Sequence, residues 1–493
     1  MKTLENPNSD TVKRTVQYTL SLLAGLTALF ILRAYAIDTW LFFNIDEISL
    51  LNQIHVPFLS GGSFSTSYFP SSILAMISKI LFEFPRFRWL SVLGHCVTFL
   101  VLGKGLTRIM GRRGALVTSA CFAMSWYFVY MGRIFEIASF TPFFAAVHFV
   151  CFGIWLSERQ FRYLIGSLIF MGLGLSNHSA PWVYYVPFCI LYIMRENWGR
   201  NSTSAEKIGI VLAFLVSALP FIYTVLVISS LSKNLDYLNG FSNSSRIFLV
   251  NFWNPSIFLR TFTTSFTGYY TGSLRFLNLG FSLLMVCAPV FLLYKNLNVN
   301  PKQRFFFWSF ISQVGLILFS PFVPNNEGHL SIVLLSSFIL LGFLVELPFV
   351  THRWVAVGLS SVTCLLGFEF FFQIGVPSAQ VGSVVKHIES HGLRAEDTLF
   401  SEGAWLKILH SEMGHELMKR SKSMPRVVSC PAPKEIVTEL NSEINNKKFQ
   451  FIFLTTECEE LMKTVEGPYR KVWQGDQTFE SHLHHGMSLY TRD

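Results

Sequence analysis

Two adjacent carboxylates, Asp46 and Glu47, follow the first long apolar stretch in the run Asn44-Ile45-Asp46-Glu47. They precede a Gly/Ser-rich segment that passes through Gly61-Gly62-Ser63 to Tyr68-Phe69-Pro70. Carboxylates are costly to dehydrate at a bilayer boundary, so a pair placed there points to a site. A carboxylate facing water at that depth can take a proton from an acceptor hydroxyl or amine as it attacks an activated carbon. The same pair also suits a helix start, where acidic side chains complement the dipole.

Other chemistry-bearing residues recur at hairpin tips. Arg133 and Glu136 stand three apart in Tyr130-Met131-Gly132-Arg133-Ile134-Phe135-Glu136, so they share a face if the helix continues. Arg133 could bind a phosphate that Glu136 helps to orient, or the two could form an interfacial ion pair. His178 ends the run Gly172-Leu173-Gly174-Leu175-Ser176-Asn177-His178 and could meet a phosphate or a metal. Glu327 and His329, two apart in Asn325-Asn326-Glu327-Gly328-His329, could reach one divalent ion, although no third ligand is evident. The run His482-Leu483-His484-His485 reads as surface, and the glycosylation-type triplets at Asn201 and Asn243 are too short to weigh much.

The elements that position these residues are membrane helices. The 493 residues are 51% hydrophobic and 14% charged, and they include 50 Phe; mean hydropathy is +0.43. Apolar runs near 16–37, 88–108, 114–131, 137–157, 163–178, 181–194, 208–230, 276–294, 305–323, 329–349 and 353–372 predict a polytopic α-helical membrane protein with about eleven transmembrane helices. The first run, after Lys13-Arg14, reads as a retained anchor rather than a cleaved signal.

The formal net charge of +9 does not mark a nucleic-acid binder. From Pro377 onward 14 basic residues face 16 acidic ones, so the excess lies in short loops of the membrane portion, where it sets topology. Lys13-Arg14, Arg112-Arg113, Arg159, Arg162, Arg195, Arg200, Lys302 and Arg304 fall on one side, taken as cytoplasmic together with the N-terminus. Asp46, Glu47, Arg133, Glu136, Asn177, His178, Glu327 and His329 then fall on the opposite side.

After Gly375-Val376-Pro377 the composition becomes that of a soluble domain. The expected division is 1–375 in the membrane and 376–493 as a small extracytoplasmic α/β domain. Strands are expected at Thr398–Ser401, Arg426–Ser429, Phe449–Leu454, Tyr469–Trp473 and Met487–Tyr490. Six cysteines sit in apolar segments and read as small hydrophobes, whereas Cys430 and Cys458 could pair in an oxidising compartment.

The order of these features resembles a family. An N-terminal helix and the outer Asp46-Glu47 loop lead to Tyr68-Phe69-Pro70-Ser71-Ser72. Arg86-Phe87-Arg88-Trp89-Leu90-Ser91-Val92-Leu93-Gly94, a Gly-Arg-Arg-Gly turn, Tyr127-Phe128-Val129-Tyr130-Met131-Gly132-Arg133 and the Gly172–His178 run follow. This is similar to the GT-C glycosyltransferases of the protein mannosyltransferase and aminoarabinose transferase type, most closely over residues 1–195. The resemblance implies a GT-C fold and a polyprenyl-phosphate-linked sugar as donor. It also implies transfer to a glycan, lipid or protein acceptor on the periplasmic or lumenal face. It places Asp46 at the catalytic centre with Glu47 beside it, and Arg133 and His178 at the donor phosphate. Tyr68, Glu136, Asn177, Glu327 and His329 then line the substrates, with membrane lipids as surroundings and a bacterial inner membrane as location. The rivals are a non-catalytic scaffold of the same fold and a transporter or flippase of lipid-linked substrates. A transporter would favour paired half-sequences and charges near the midplane, and the chain has neither pattern.

Overall fold

The computed structural model describes residues 7–35, 88–133, 137–178, 181–182, 184–198, 203–231, 263, 266–267, 275–294, 301–319, 330–371, 397–401, 426–428, 438, 440–443, 446, 449–455, 458, 462, 469–474 and 487–492. The helices through Phe370 belong to one compact unit and the strands from Thr398 to another.

In the first unit α1 spans Pro7–Ala34. Next, α2 (Arg88–Leu100) runs through a π-helical turn at Val101–Gly105 into Thr107–Met110. Then come α3 (Arg112–Met124), α4 (Trp126–Met131), α5 (Ile137–Glu158), α6 (Phe161–Asn177) and α7 (Val186–Trp198). The series ends with α8 (Ser204–Leu231), α9 (Arg275–Tyr294), α10 (Pro301–Phe319), α11 (Ser331–Glu346) and α12 (Val350–Phe370). Among the described residues, Thr11–Ala34, Arg88–Met110, Ser139–Glu158 and Ser204–Ile222 are long and apolar enough to cross a membrane by themselves. Large apolar side chains project outward from α1 (Val12, Leu20, Leu23), α8 (Val211, Leu215, Leu219) and α12 (Trp354, Leu365), as lipid-facing helices require.

The helices alternate in direction, as their contacts show. On α1, the Tyr18 hydroxyl donates to Gly103 O of the π-helical turn, while Arg33, four turns later, reaches His95 of α2. Arg112 at the start of α3 donates to Thr15 Oγ1 at 3.2 Å, and Arg33 reaches the end of α3, so α1 and α3 are parallel. Helices α3 and α11 are antiparallel and nearly in backbone contact. A Cβ on Gly114 would lie 2.5 Å from Gly342 O, and Thr118 Oγ1 donates to Phe338 O at 3.1 Å. Small residues that admit a second backbone, joined by hydroxyl hydrogen bonds, are how membrane helices associate without a hydrophobic drive.

One end of this bundle is charged. Arg108 pairs with Glu158, Arg159 pairs with Glu196 at 2.9 Å, and Lys302 Nζ donates to Arg108 O at 3.0 Å. Charge collects there because water is available to solvate it, in the pattern that sets orientation.

The second unit carries a five-stranded sheet in the order β2-β1-β3-β5-β4. Strand β1 (Thr398–Ser401) pairs parallel with β2 (Arg426–Val428) and β3 (Phe451–Thr455). The antiparallel hairpin of β4 (Tyr469–Gln474) and β5 (Met487–Arg492) closes on β3. Leu399, Val428, Leu440, Phe449, Ile452, Leu454, Cys458 and Tyr490 form its core. Cys458 is disulfide-bonded, whereas Cys96, Cys121, Cys151, Cys189, Cys287 and Cys364 are free.

Candidate active site

The end of the bundle opposite the charged pairs is organised by a helix break. Helix α3 stops at Met124 because Ser125 takes an extended conformation (φ −67°, ψ 137°), and α4 restarts at Trp126. A break of this kind removes carbonyls from the helical ladder, and a buried carbonyl must find another donor. Arg33, at 0% exposure, supplies it from the last turn of α1: Nη1 donates to Ala123 O at 2.8 Å and Nη2 to Phe122 O at 3.3 Å. Its Nε donates to His95 Nδ1 at 3.2 Å. Because arginine only donates, Nδ1 must accept, and the ring proton therefore sits on Nε2, which donates to Ser139 O at 3.0 Å. A single guanidinium and a single imidazole thus tie the ends of α1, α2, α3 and α5 together.

Arg133 stands immediately beyond this knot. Helix α4 ends at Met131, and Gly132 and Arg133 close the turn through Gly132 N to Phe128 O (3.0 Å) and Arg133 N to Tyr130 O (3.0 Å). The helix that would have put Arg133 and Glu136 on one face therefore does not continue, and Glu136 lies outside the described residues. Arg133 is 1% exposed and its Nη1 donates to Leu32 O at 2.8 Å, which satisfies a terminal carbonyl of α1.

Asn177 and His178 are delivered to the same end. Helices α5 and α6 are antiparallel, and His148 Nδ1 meets Ser167 at 2.9 Å. Nine residues further along each helix, roughly 13 Å at helical rise, lie Ser139 and Ser176. Asn177 and His178 are thus level with the start of α5, just after Arg133. Asn177 is buried, and His178 ends α6 with its amide on Gly174 O at 3.0 Å.

The glycines of the Gly172–His178 run serve packing. A Cβ on Gly172 would collide with Ser217 of α8, and one on Gly174 with the Trp182 indole. Ser176 Oγ adds a hydrogen bond to Ser217 O at 3.1 Å. His148 also bonds the Tyr185 hydroxyl at 2.5 Å through Nε2, in a fully buried cluster with Trp182. Asp46, Glu47, Tyr68, Glu136, Glu327 and His329 lie outside the described residues. Among the described residues no group of three His, Cys, Asp or Glu side chains converges as metal ligands would. Arg33 and His95 are absent from the sequence expectations. The one available signal was an arginine inside the last turn of an apolar run.

Residues 68–227 match the family model described as dolichyl-phosphate-mannose-protein mannosyltransferase. That span includes Arg133, Asn177, His178 and the helices that carry them. No curated protein matches the chain in sequence. The crystal structure of ArnT from Cupriavidus metallidurans bound to undecaprenyl phosphate superposes with a TM-score of 0.50 at 13% identity, covering 97% of this chain and 98% of that one. The apo Archaeoglobus fulgidus oligosaccharyltransferase gives a TM-score of 0.52 at 11% identity, over 92% of this chain and 73% of that one. The chain has the GT-C fold. The resemblance to GT-C glycosyltransferases read from its motifs therefore holds both in the family model and in the architecture. In this GT-C chain the Ser125 break and the Arg33 knot set the end of the bundle from which Arg133 and His178 emerge.

Proposed function

We propose that this chain is an integral-membrane, inverting glycosyltransferase that moves a sugar from a polyprenyl-phosphate donor to a glycan, lipid or protein acceptor on the periplasmic or lumenal face of its membrane. The observation that carries the reading is the family match over 68–227, because it spans the helices that bring Arg133 and Asn177-His178 to one end of the bundle. The ArnT structure, whose fold runs through nearly the whole chain, was solved with undecaprenyl phosphate bound, which supports a lipid-linked donor.

In this reading Asp46 accepts the proton of the acceptor hydroxyl or amine while that atom bonds to the anomeric carbon. The bond from that carbon to the phosphate oxygen breaks on the opposite side, and the departing polyprenyl phosphate keeps the electron pair. Arg133 and His178 meet its growing charge with fixed donors. Glu47 supports Asp46, and Tyr68, Glu136, Asn177, Glu327 and His329 line the donor and acceptor. A divalent ion, if used, falls to Glu327 and His329.

The proposed orientation has the N-terminus in the cytoplasm of a bacterial cell and residues 376–493 as an α/β domain in the periplasm. The charged pairs at the opposite end of the bundle support it. So does the disulfide at Cys458, since such bonds persist outside the reducing cytosol.

The test is a transfer assay in membranes supplied with lipid-linked sugar. Asp46→Ala should abolish product, and full activity in that variant would sink the assignment of the base.

A further inference from the structure

We infer that Arg33, acting together with His95, is a positioning residue for the lipid-phosphate site: it holds the α3–α4 break in place and so fixes the backbone from which Arg133 extends. The inference rests on the reading of Arg133 as a phosphate-binding residue.

Four observations carry it. First, Arg33 is fully buried and its donors go to the protein itself, namely Ala123 O, Phe122 O and His95 Nδ1. It therefore does not act by touching a ligand. Among the described residues no carboxylate pairs with Arg33. Burying a cation without a counter-charge is expensive, and a plain salt-bridge role does not explain it. Second, the carbonyls it serves are those of the residues just before the Ser125 break, so the guanidinium stands in for amides that the helix would otherwise supply. Third, Gly132, the residue before Arg133, packs directly on it. A Cβ there would run into Arg33 Nε and lie 3.0 Å from His95 Nδ1. Fourth, Arg133 Nη1 is anchored on Leu32 O, the carbonyl adjacent to Arg33 in α1. Arg33 thus holds the backbone just before the break that leads to Arg133, and Arg133 holds the α1 carbonyl next to Arg33.

This geometry needs a planar fork. Lysine at position 33 keeps the charge, but one ammonium cannot span two carbonyls and an imidazole. Glutamine at position 95 keeps an acceptor for Arg33 and a donor for Ser139 O, but it carries them on a flexible amide in place of the rigid ring and holds the two partners less firmly. Misplacing the Arg133 guanidinium weakens its charge-assisted hydrogen bonds to a phosphate, at a cost of roughly tenfold in affinity.

The experiment measures binding of undecaprenyl phosphate to the full-length protein in nanodiscs, alongside the unfolding midpoint without lipid. Arg33→Lys and His95→Gln should each weaken binding by about tenfold while that midpoint moves by only a few degrees. Arg133→Ala should weaken binding by roughly a hundredfold, leaving it measurable, and Arg33→Lys combined with Arg133→Ala should bind no worse than Arg133→Ala alone. A purely structural role for Arg33 predicts the reverse: a large fall in the midpoint and losses that add in the double variant, which would overturn the inference. Wild-type binding by both Arg33→Lys and His95→Gln, with Arg133→Ala still defective, refutes the positioning role and leaves the phosphate reading standing. Wild-type binding by Arg133→Ala refutes both. If Arg33→Lys does not fold, His95→Gln decides the matter in the same way.

Discussion

The Glu346 carboxylate, the last side chain of α11, accepts a hydrogen bond from the Gly114 amide in the first turn of α3 at 2.8 Å. Helix α3 begins after Gly111, which has no side chain to cap it and sits at φ 104°. The cap therefore comes from a residue far away in sequence, and its negative charge suits a helix N-terminus. Glu346→Ala should cost about 1 kcal/mol of stability, and Glu346→Gln about half of that, since it keeps an acceptor and loses the charge. Equilibrium unfolding in detergent reads both; Glu346→Gln as stable as wild type would show that the charge is irrelevant, and Glu346→Gln as unstable as Glu346→Ala would show that the charge carries the whole effect.

Beside that cap, the crossing of α3 and α11 predicts a ranking. Thr118→Val removes one interhelical hydrogen bond, from Thr118 Oγ1 to Phe338 O, worth about 0.6 kcal/mol in a membrane interior. Gly342→Ala places a Cβ 2.5 Å from Thr118 Oγ1 and 2.7 Å from Gly114 O, where a backbone carbonyl cannot step aside. The helices must separate, so the smaller-looking change should be the more damaging one. The same unfolding measurement on both variants checks the order, and a milder Gly342→Ala would contradict the packing.

These two contacts also mark what a sequence exposes and what it hides. The helices were legible because each is an apolar run bounded by charge: the expected run 137–157 is α5 at Ile137–Glu158, and 276–294 is α9 at Arg275–Tyr294. The strands were legible from short apolar runs between turn residues, as with Thr398–Ser401. The expected run 114–131 is instead two helices, because Ser125 breaks it and no proline or glycine announces the break. Arg33 was invisible for a related reason. At the end of an apolar run it looks like a residue reaching for water, and its burial depends on His95 and on carbonyls about 90 residues away. Arg133 and His178 could be assigned to one face from topology alone, but not the backbone that holds them. The pairing order of the sheet is likewise a long-range property that strand patterns do not encode.

The proposed orientation makes a chemical prediction about Cys458. It is disulfide-bonded, and burial keeps it from solvent in the folded sheet unit. In intact cells a membrane-impermeant maleimide should leave Cys458 unlabelled until a mild extracellular reductant and partial unfolding are applied. It should then label without permeabilising the inner membrane, as site-resolved mass spectrometry can read. Labelling that requires inner-membrane permeabilisation would place the sheet unit in the cytoplasm and reverse the topology.

Tyr469 gives the sheet unit a pH signature. Its hydroxyl donates to Phe449 O at 2.7 Å, and its ring packs on the core that includes Phe449 and Ile452. Burial raises the phenol above its ordinary pKa, and the Arg492 guanidinium nearby works against that rise. The folded state therefore holds the phenolic proton more tightly than the unfolded chain does. The stabilisation is fully present below the ordinary phenol value of about 10 and is lost as pH climbs through the higher folded value. Tyr469→Phe should lower stability at neutral pH by about 1 kcal/mol, the usual worth of one hydrogen bond, and should flatten this part of the alkaline decline. Amide exchange of β3 and β5 in the full-length protein, followed from neutral pH to beyond pH 10 and corrected for intrinsic exchange rates, checks both effects. An unchanged alkaline slope in Tyr469→Phe would mean that another group carries that titration.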